Sequence, residues 1–222
     1  MPPRSRDRPA RFTTRARRGD VTSDSTDEEL LLRFRDGDAG AFELLMRRHR
    51  ATVFTFLARL TGDRPRAEDL LQETWLRVVA AAPRWEPRAR FRTWLFSVAR
   101  NLATDEARRA VHRRAEPLDD PPGDGLPLAE RLPAGDPGPE RAAASGELRP
   151  KLLEALGSLP LPQREVFLLR EQAGVPFAEI AEITGTPLPT VKSRMRYALE
   201  ALQRRLLELG VEPPAASGST GT

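Results

Sequence analysis

A run near the C-terminal end carries side chains suited to reading duplex DNA. Within and just beyond FAEIAEITGTPLPTVKSRMR (177–196) lie Thr190, Lys192, Ser193, Arg194, Arg196 and Tyr197. Hydroxyls and forked cations on one helix can bond base edges and phosphates in a major groove. The residues around them have the spacing of a helix-turn-helix. Ala181 is the small residue where two helices cross, Gly185 serves the turn, and Val191, at an offset of ten from Ala181, pins the second helix to the first. Pro187 or Pro189 falls in or before the first turn of that second helix, where no amide donor is lost. By angle, Val191, Met195, Ala198, Leu202 and Leu206 share one face. Lys192, Ser193, Arg196 and Tyr197 point largely the other way, with Thr190 and Arg194 on the flanks. The plain alternative is an amphipathic hairpin with a solvated basic face.

A second constellation lies at 84–114, where nine arginines stand against Glu86, Asp105 and Glu106, with Trp85, Phe91, Trp94 and Phe96 interleaved. Cations for phosphates beside flat faces for bases suit partly unstacked single-stranded DNA. Trp85, in the loop from Pro83 to Arg90, is expected to be exposed, and Phe91 to belong to the core. A third set, Asp69, Gln72, Glu73 and Leu76, recurs at three- and four-residue steps on a face distinct from Leu71, Trp75 and Val78. An acidic, hydrogen-bonding strip of this kind suits docking on a basic partner helix, although a solvated acidic face would look the same.

Equipment for catalysis is missing. Cysteine is absent, and the two histidines, His49 and His112, are far apart without acidic partners at ligand spacing. No phosphate-binding loop, dinucleotide fingerprint or zinc-protease motif occurs. No enzymatic activity, metal, cofactor or small-molecule substrate is expected. No apolar run approaches the ~18 residues a membrane span needs, so no membrane insertion is expected. The lack of cysteine fits a reducing, cytoplasmic setting.

The elements that must position these residues are helical throughout. Phe42, Leu45, His49, Val53, Phe56 and Leu60 form an amphipathic stripe, with His49 read as a packed histidine. Thr61-Gly62-Asp63 ends that helix, and Asp63 with Pro65 starts the next, which runs to about Ala82. Another begins near Arg90, with Phe91, Leu95, Val98 and Leu102 on one side. The reading is all-α: two small helical domains, 26–114 and 148–209, joined by a flexible linker at 115–147. That linker holds seven prolines, five glycines and eight acids. Residues 1–25, with seven arginines, read as a disordered basic arm, either a solubilising tail or a DNA contact, and 210–222 as a disordered tail.

On these motifs the chain resembles bacterial RNA polymerase sigma factors of the sigma-70 family, extracytoplasmic-function (ECF) subfamily. LPLPQREVFLLREQAGVPFAEIAEITGTPLPTVKSRMRYALEALQRRL (159–206) is similar to the family's −35-binding domain. DEELLLRFRDGDAGAFELLMRRHRATVFTFLARLTGDRPRAEDLLQETWLRV (27–78) followed by FRTWLFSVARNLATDEARR (91–109) is similar to its polymerase-binding, −10-reading domain. The resemblance implies a sigma factor that directs promoter-specific initiation. In that reading Asp69, Gln72, Glu73 and Leu76 bind the clamp helices of the polymerase's largest subunit. Trp85, Arg88, Arg90, Arg92, Arg100, Asn101, Arg108 and Arg109 read the −10 element and trap the opened strand. The helix-turn-helix residues read −35 duplex, with the polymerase flap as a further contact for that domain. An anti-sigma factor is an implied partner. Two departures bear on −35 specificity: Pro189 stands where many relatives have Gly, and Tyr197 where they often have Arg.

The two promoter elements lie on the order of 50 Å apart along duplex. The 33-residue linker reaches roughly 110 Å extended but averages about 30 Å as a coil, so it spans the gap only if held stretched. An acidic linker threaded through a basic channel would be held so. Two other readings compete: a helix-turn-helix regulator that binds DNA unaided, and a sequestering adaptor whose basic surfaces are incidental.

Overall fold

The structure is a computed structural model that describes residues 24–87, 89–115 and 139–211; for 110–115 and 139–147 only the backbone is described. The helices run α1 (Asp27–Arg35), α2 (Ala39–Thr61), α3 (Arg64–Ala81), a 3-10 turn (Ala82–Arg84), α4 (Phe91–Ala115), α5 (Pro139–Ser158), α6 (Leu161–Phe167), α7 (Phe177–Thr184) and α8 (Leu188–Glu208). A π-helical turn, Leu168–Gln172, continues α6. No strand occurs among the described residues, so the architecture is all-α.

Local chemistry sets the helix ends. Thr26 and Glu29 form a reciprocal capping box on α1: Glu29 N donates to Thr26 Oγ1 at 3.2 Å and Thr26 N to Glu29 Oε2 at 2.8 Å. Gly62 ends α2 in the left-handed region at φ 72°, a conformation that costs glycine nothing. Asp63 then caps α3 by accepting from Arg66 N at 3.0 Å, with Pro65 in the first turn.

In the first domain Leu45, Val53 and Phe56 of α2 are fully buried, with Leu60 and His49 nearly so, as the α2 stripe requires. Phe56 meets Phe96 of α4 edge to face, ring centroids 5.3 Å apart. The buried face of α4 is Phe91, Leu95, Phe96, Ala99 and Ala103. Val98 and Leu102 are only half-buried, on a helix that packs against α2, α3 and α7. In the second domain Leu156, Leu159, Ala198 and Leu202 bring α5 and α8 together.

Two expectations need correction. Trp85 is buried, only 8% exposed. The chain turns back after the 3-10 segment, Trp85 N donating to Ala82 O at 3.2 Å, and the indole meets Trp94 at a tilt of 53°, centroids 6.3 Å apart. The stretch 115–147 is also not linker throughout: α4 includes Ala115, and α5 begins at Pro139. Proline is at home in a helix's first turn, and Ala142–Ala144 are strong helix formers, so local propensity outweighs the Pro/Gly-rich composition there. The remaining linker, 116–138, the basic arm before Asp24 and the tail after Val211 lie outside the described residues.

Candidate nucleic-acid and polymerase interfaces

Gly185 sits at φ 61° between α7 and α8. Thr186 N donates to Ala181 O at 3.0 Å and Gly185 N to Glu182 O at 3.3 Å. This is the paired bonding that closes a helix through a left-handed glycine. Α8 then starts at Leu188 with Pro189 in its first turn. Val191, Met195, Ala198 and Leu202 are buried, which fixes the helix's rotation. Lys192 and Arg196 are consequently exposed, and Tyr197 is 47% exposed. The Arg196 guanidinium lies over the Tyr197 ring, 4.7 Å from its centroid, and Glu200 stands 3.9 Å from it. Ser193 donates its hydroxyl to Thr190 O at 2.9 Å. Arg194 leans back to Thr186 Oγ1 at 3.2 Å. Thus Lys192, Arg196 and Tyr197 form the outward face, and Thr190, Ser193 and Arg194 its half-buried flank.

On α3 the internal division is equally sharp. Ala67, Leu70, Leu71, Thr74, Trp75 and Val78 face inward. Asp69 and Gln72 are exposed, Glu73 is partly so, and Leu76 is 63% exposed with Val79 beside it. Glu73 accepts from Arg77 Nε at 2.8 Å, one turn along. The strip therefore mixes acids and amides with an apolar knob that no other part of the described chain covers. Val79, 40% exposed, lies outside the strip read from charge patterning, because an exposed valine gives no polar signal.

The basic constellation divides. Arg90, Arg92, Asn101, Arg108 and Arg109 are exposed. Arg108 pairs with Asp105 at 3.8 Å, a loose surface pair worth little, and Arg109 reaches at 3.5 Å the mostly buried Glu106, which also pairs with Arg66. Arg100 instead forms an ion pair with the buried Glu165 of α6 and also reaches Asn101 Oδ1 at 3.2 Å. Trp85 serves the core, and Arg88 lies outside the described residues. The helix-turn-helix and the Arg-lined α4 thus lie on two helical domains of one chain, the combination of features expected of a DNA-binding protein, and α3 carries an exposed strip of acids, an amide and a leucine.

Known proteins narrow that class. Residues 45–113 match the model of Sigma-70 region 2 and residues 149–202 that of Sigma-70, region 4. The chain is 36% identical over 180 residues to RNA polymerase sigma factor CarQ of Myxococcus xanthus, covering 81% of this chain and 97% of CarQ. It is 37% identical over 180 residues to ECF RNA polymerase sigma factor SigL of Mycobacterium tuberculosis, covering 79% and 96%. In fold it is similar to CnrH, solved with the cytosolic domain of CnrY: TM-score 0.58, 22% identity, 83% of this chain and 99% of that one. RpoE of Bartonella quintana, solved with the anti-sigma factor NepR, gives TM-score 0.58 at 24% identity over 75% and 96%. The chain belongs to the sigma-70 family of RNA polymerase sigma factors, in its ECF branch. It binds core RNA polymerase and directs promoter-specific transcription initiation, acting as an initiation factor.

Proposed function

We propose how this chain's own residues divide that work. Asp69, Gln72, Glu73 and Leu76 dock on the clamp helices of the polymerase's largest subunit. The observation that carries this is Leu76, 63% exposed between hydrogen-bonding neighbours on a helix whose opposite face is core. Arg90, Arg92, Arg100, Asn101, Arg108 and Arg109, with Arg88 of the preceding loop, take the −10 element and its opened strand. Trp85 is left out of this set, since its ring is committed to the core. Thr190, Lys192, Ser193, Arg194, Arg196 and Tyr197 read the −35 duplex, and the same domain meets the flap. Residues 26–114 and 148–209 are the two working domains.

No bond is made or broken by this chain in this scheme. Two modest contacts on one tether raise each other's occupancy through effective concentration. Its compartment follows from its partner: bacterial polymerase works in the cytoplasm, and among the described residues no helix is long and apolar enough to cross a membrane. An anti-sigma factor is proposed as a regulator, since the similar RpoE was solved with one.

The test is Asp69→Arg with Glu73→Arg in the full chain. Loss of core binding with an unchanged melting temperature supports the docking strip; unchanged core binding refutes it.

A further inference from the structure

The N-terminal end of α8 is apolar and exposed, at the place where a recognition helix meets base edges. It consists of Pro187 at the capping position, then Leu188 and Pro189. Leu188 is 38% exposed, and both prolines are exposed as well. A single exposed leucine is ordinary on a protein surface; this one is framed by two prolines at the tip of a helix that carries DNA-reading side chains. A helix start commonly offers a phosphate its free amides. Here Pro187 and Pro189 have no amide hydrogen, those of Thr190 and Val191 are turned to Pro187 O at 2.9 and 3.0 Å, and no side chain caps the end. Apart from Leu188 N, the tip offers hydrocarbon.

The buried side of α8 settles where this tip points. Val191, Met195, Ala198 and Leu202 are packed inward, so Pro189 stands on the opposite side of the helix. Steps of three, four and seven residues line it up with Lys192, Ser193 and Arg196. Leu188 lies one turn before Lys192, on the edge of the same strip. Lys192 and Arg196 are exposed cations, suited to the phosphates that border a groove. The prolines fix φ at 187 and 189, so the tip is already ordered and loses little further freedom on binding. In the major groove the apolar group on offer is the C5 methyl of thymine.

We infer that Leu188 and Pro189 are specificity-determining residues that read the C5 methyl of thymine in the −35 element, on either strand. The polar side chains of the strip fix register and bond base edges. The tip selects thymine over cytosine by closing on the methyl. Glycine at 189 would supply neither the ring nor the fixed φ. The inference rests on α8 reading −35 duplex.

The test uses the full chain with core polymerase. A duplex promoter fragment that this holoenzyme selects from a library is remade with each −35 thymine replaced singly by 2′-deoxyuridine. Uracil keeps the pairing and the O4 acceptor and lacks only the methyl. At one or two positions the Kd should rise about 4-fold, which corresponds to the ~0.8 kcal/mol of one buried methyl. Leu188→Ala with Pro189→Gly should bring the ratio of uracil to thymine Kd to about one. Leu188→Ala alone, at an exposed position, should lower the ratio too and carries the test if the double variant fails to fold. Lys192→Ala should weaken both fragments alike and keep the ratio. A ratio of one at every −35 thymine, an element without thymine, or a ratio that the tip variants leave unchanged would overturn the methyl contact. So would a loss of core binding by Leu188→Ala without a change in ratio, which would give the tip to the polymerase. Failure of the −35 reading itself is told apart by a Kd that Lys192→Ala and Arg196→Ala also leave unchanged; failure of the methyl contact alone leaves their effect in place.

Discussion

Leu76→Ala is expected to weaken core binding without weakening the fold. Fully burying a leucine contributes ~1.5–3 kcal/mol. Leu76 is 63% exposed in the free chain, so docking gains only that exposed share. Truncation keeps the β-carbon, which leaves about 1–1.5 kcal/mol to lose, roughly 5- to 12-fold in Kd. Stability should move by no more than about 0.5 kcal/mol, because the side chain touches little within the chain and alanine is a good helix residue. Anisotropy titration of the labelled factor with purified core polymerase reads the first quantity, and urea unfolding the second. An unchanged Kd would remove Leu76 from the docking strip. A loss of several kcal/mol in folding stability would show that its exposure had been misjudged.

Three further outcomes follow. Trp85→Ala should cost about 3–5 kcal/mol of stability, as buried aromatics do; a normal melt with selective loss of −10 binding would restore its role at the DNA. Asp27 is a pH-dependent tie between α1 and α2. Burial alone would raise its carboxyl pKa, but the bond to His49, whose Nε2 lies 2.6 Å away, and that from Arg48 at 2.9 Å outweigh it and lower the pKa. A lowered folded pKa gives stability that is full above the unfolded value of about 3.9 and is lost as pH falls through the folded one. Asp27→Asn should therefore flatten the acid limb of a stability–pH curve, and parallel limbs in the two proteins would contradict it. On α8, Lys192→Ala and Arg196→Ala should each reduce the salt slope of −35 binding by holoenzyme by ~1 if they meet phosphates. An unchanged slope with altered base preference would instead make them base readers.

Much of this was legible because it is local. The Ala181, Gly185 and Val191 offsets, the Asp63 cap and the two faces of α3 depend only on helical geometry over a few residues, and each appears in the structure. Trp85 was not legible: an aromatic in a Pro-flanked loop is exposed or buried according to where the loop folds, and only contact with Trp94 and the core decides it. Arg100 illustrates the same limit at longer range. Its partner Glu165 is 65 residues away, and nothing in the run REVFLLR marks that acid as the one turned inward. The start of α5 was obscured by prolines and glycines whose composition suggested linker, while three successive alanines sustained a helix.

The most direct measurement is multi-round transcription with core polymerase, the purified chain and a library of promoter fragments, sequencing the transcripts that arise. The account predicts initiation that needs both proteins and selects fragments sharing a −10 and a −35 motif. It also predicts that Asp69→Arg with Glu73→Arg abolishes that initiation. Specific DNA binding by the chain alone with no polymerase-dependent initiation from any fragment would contradict it.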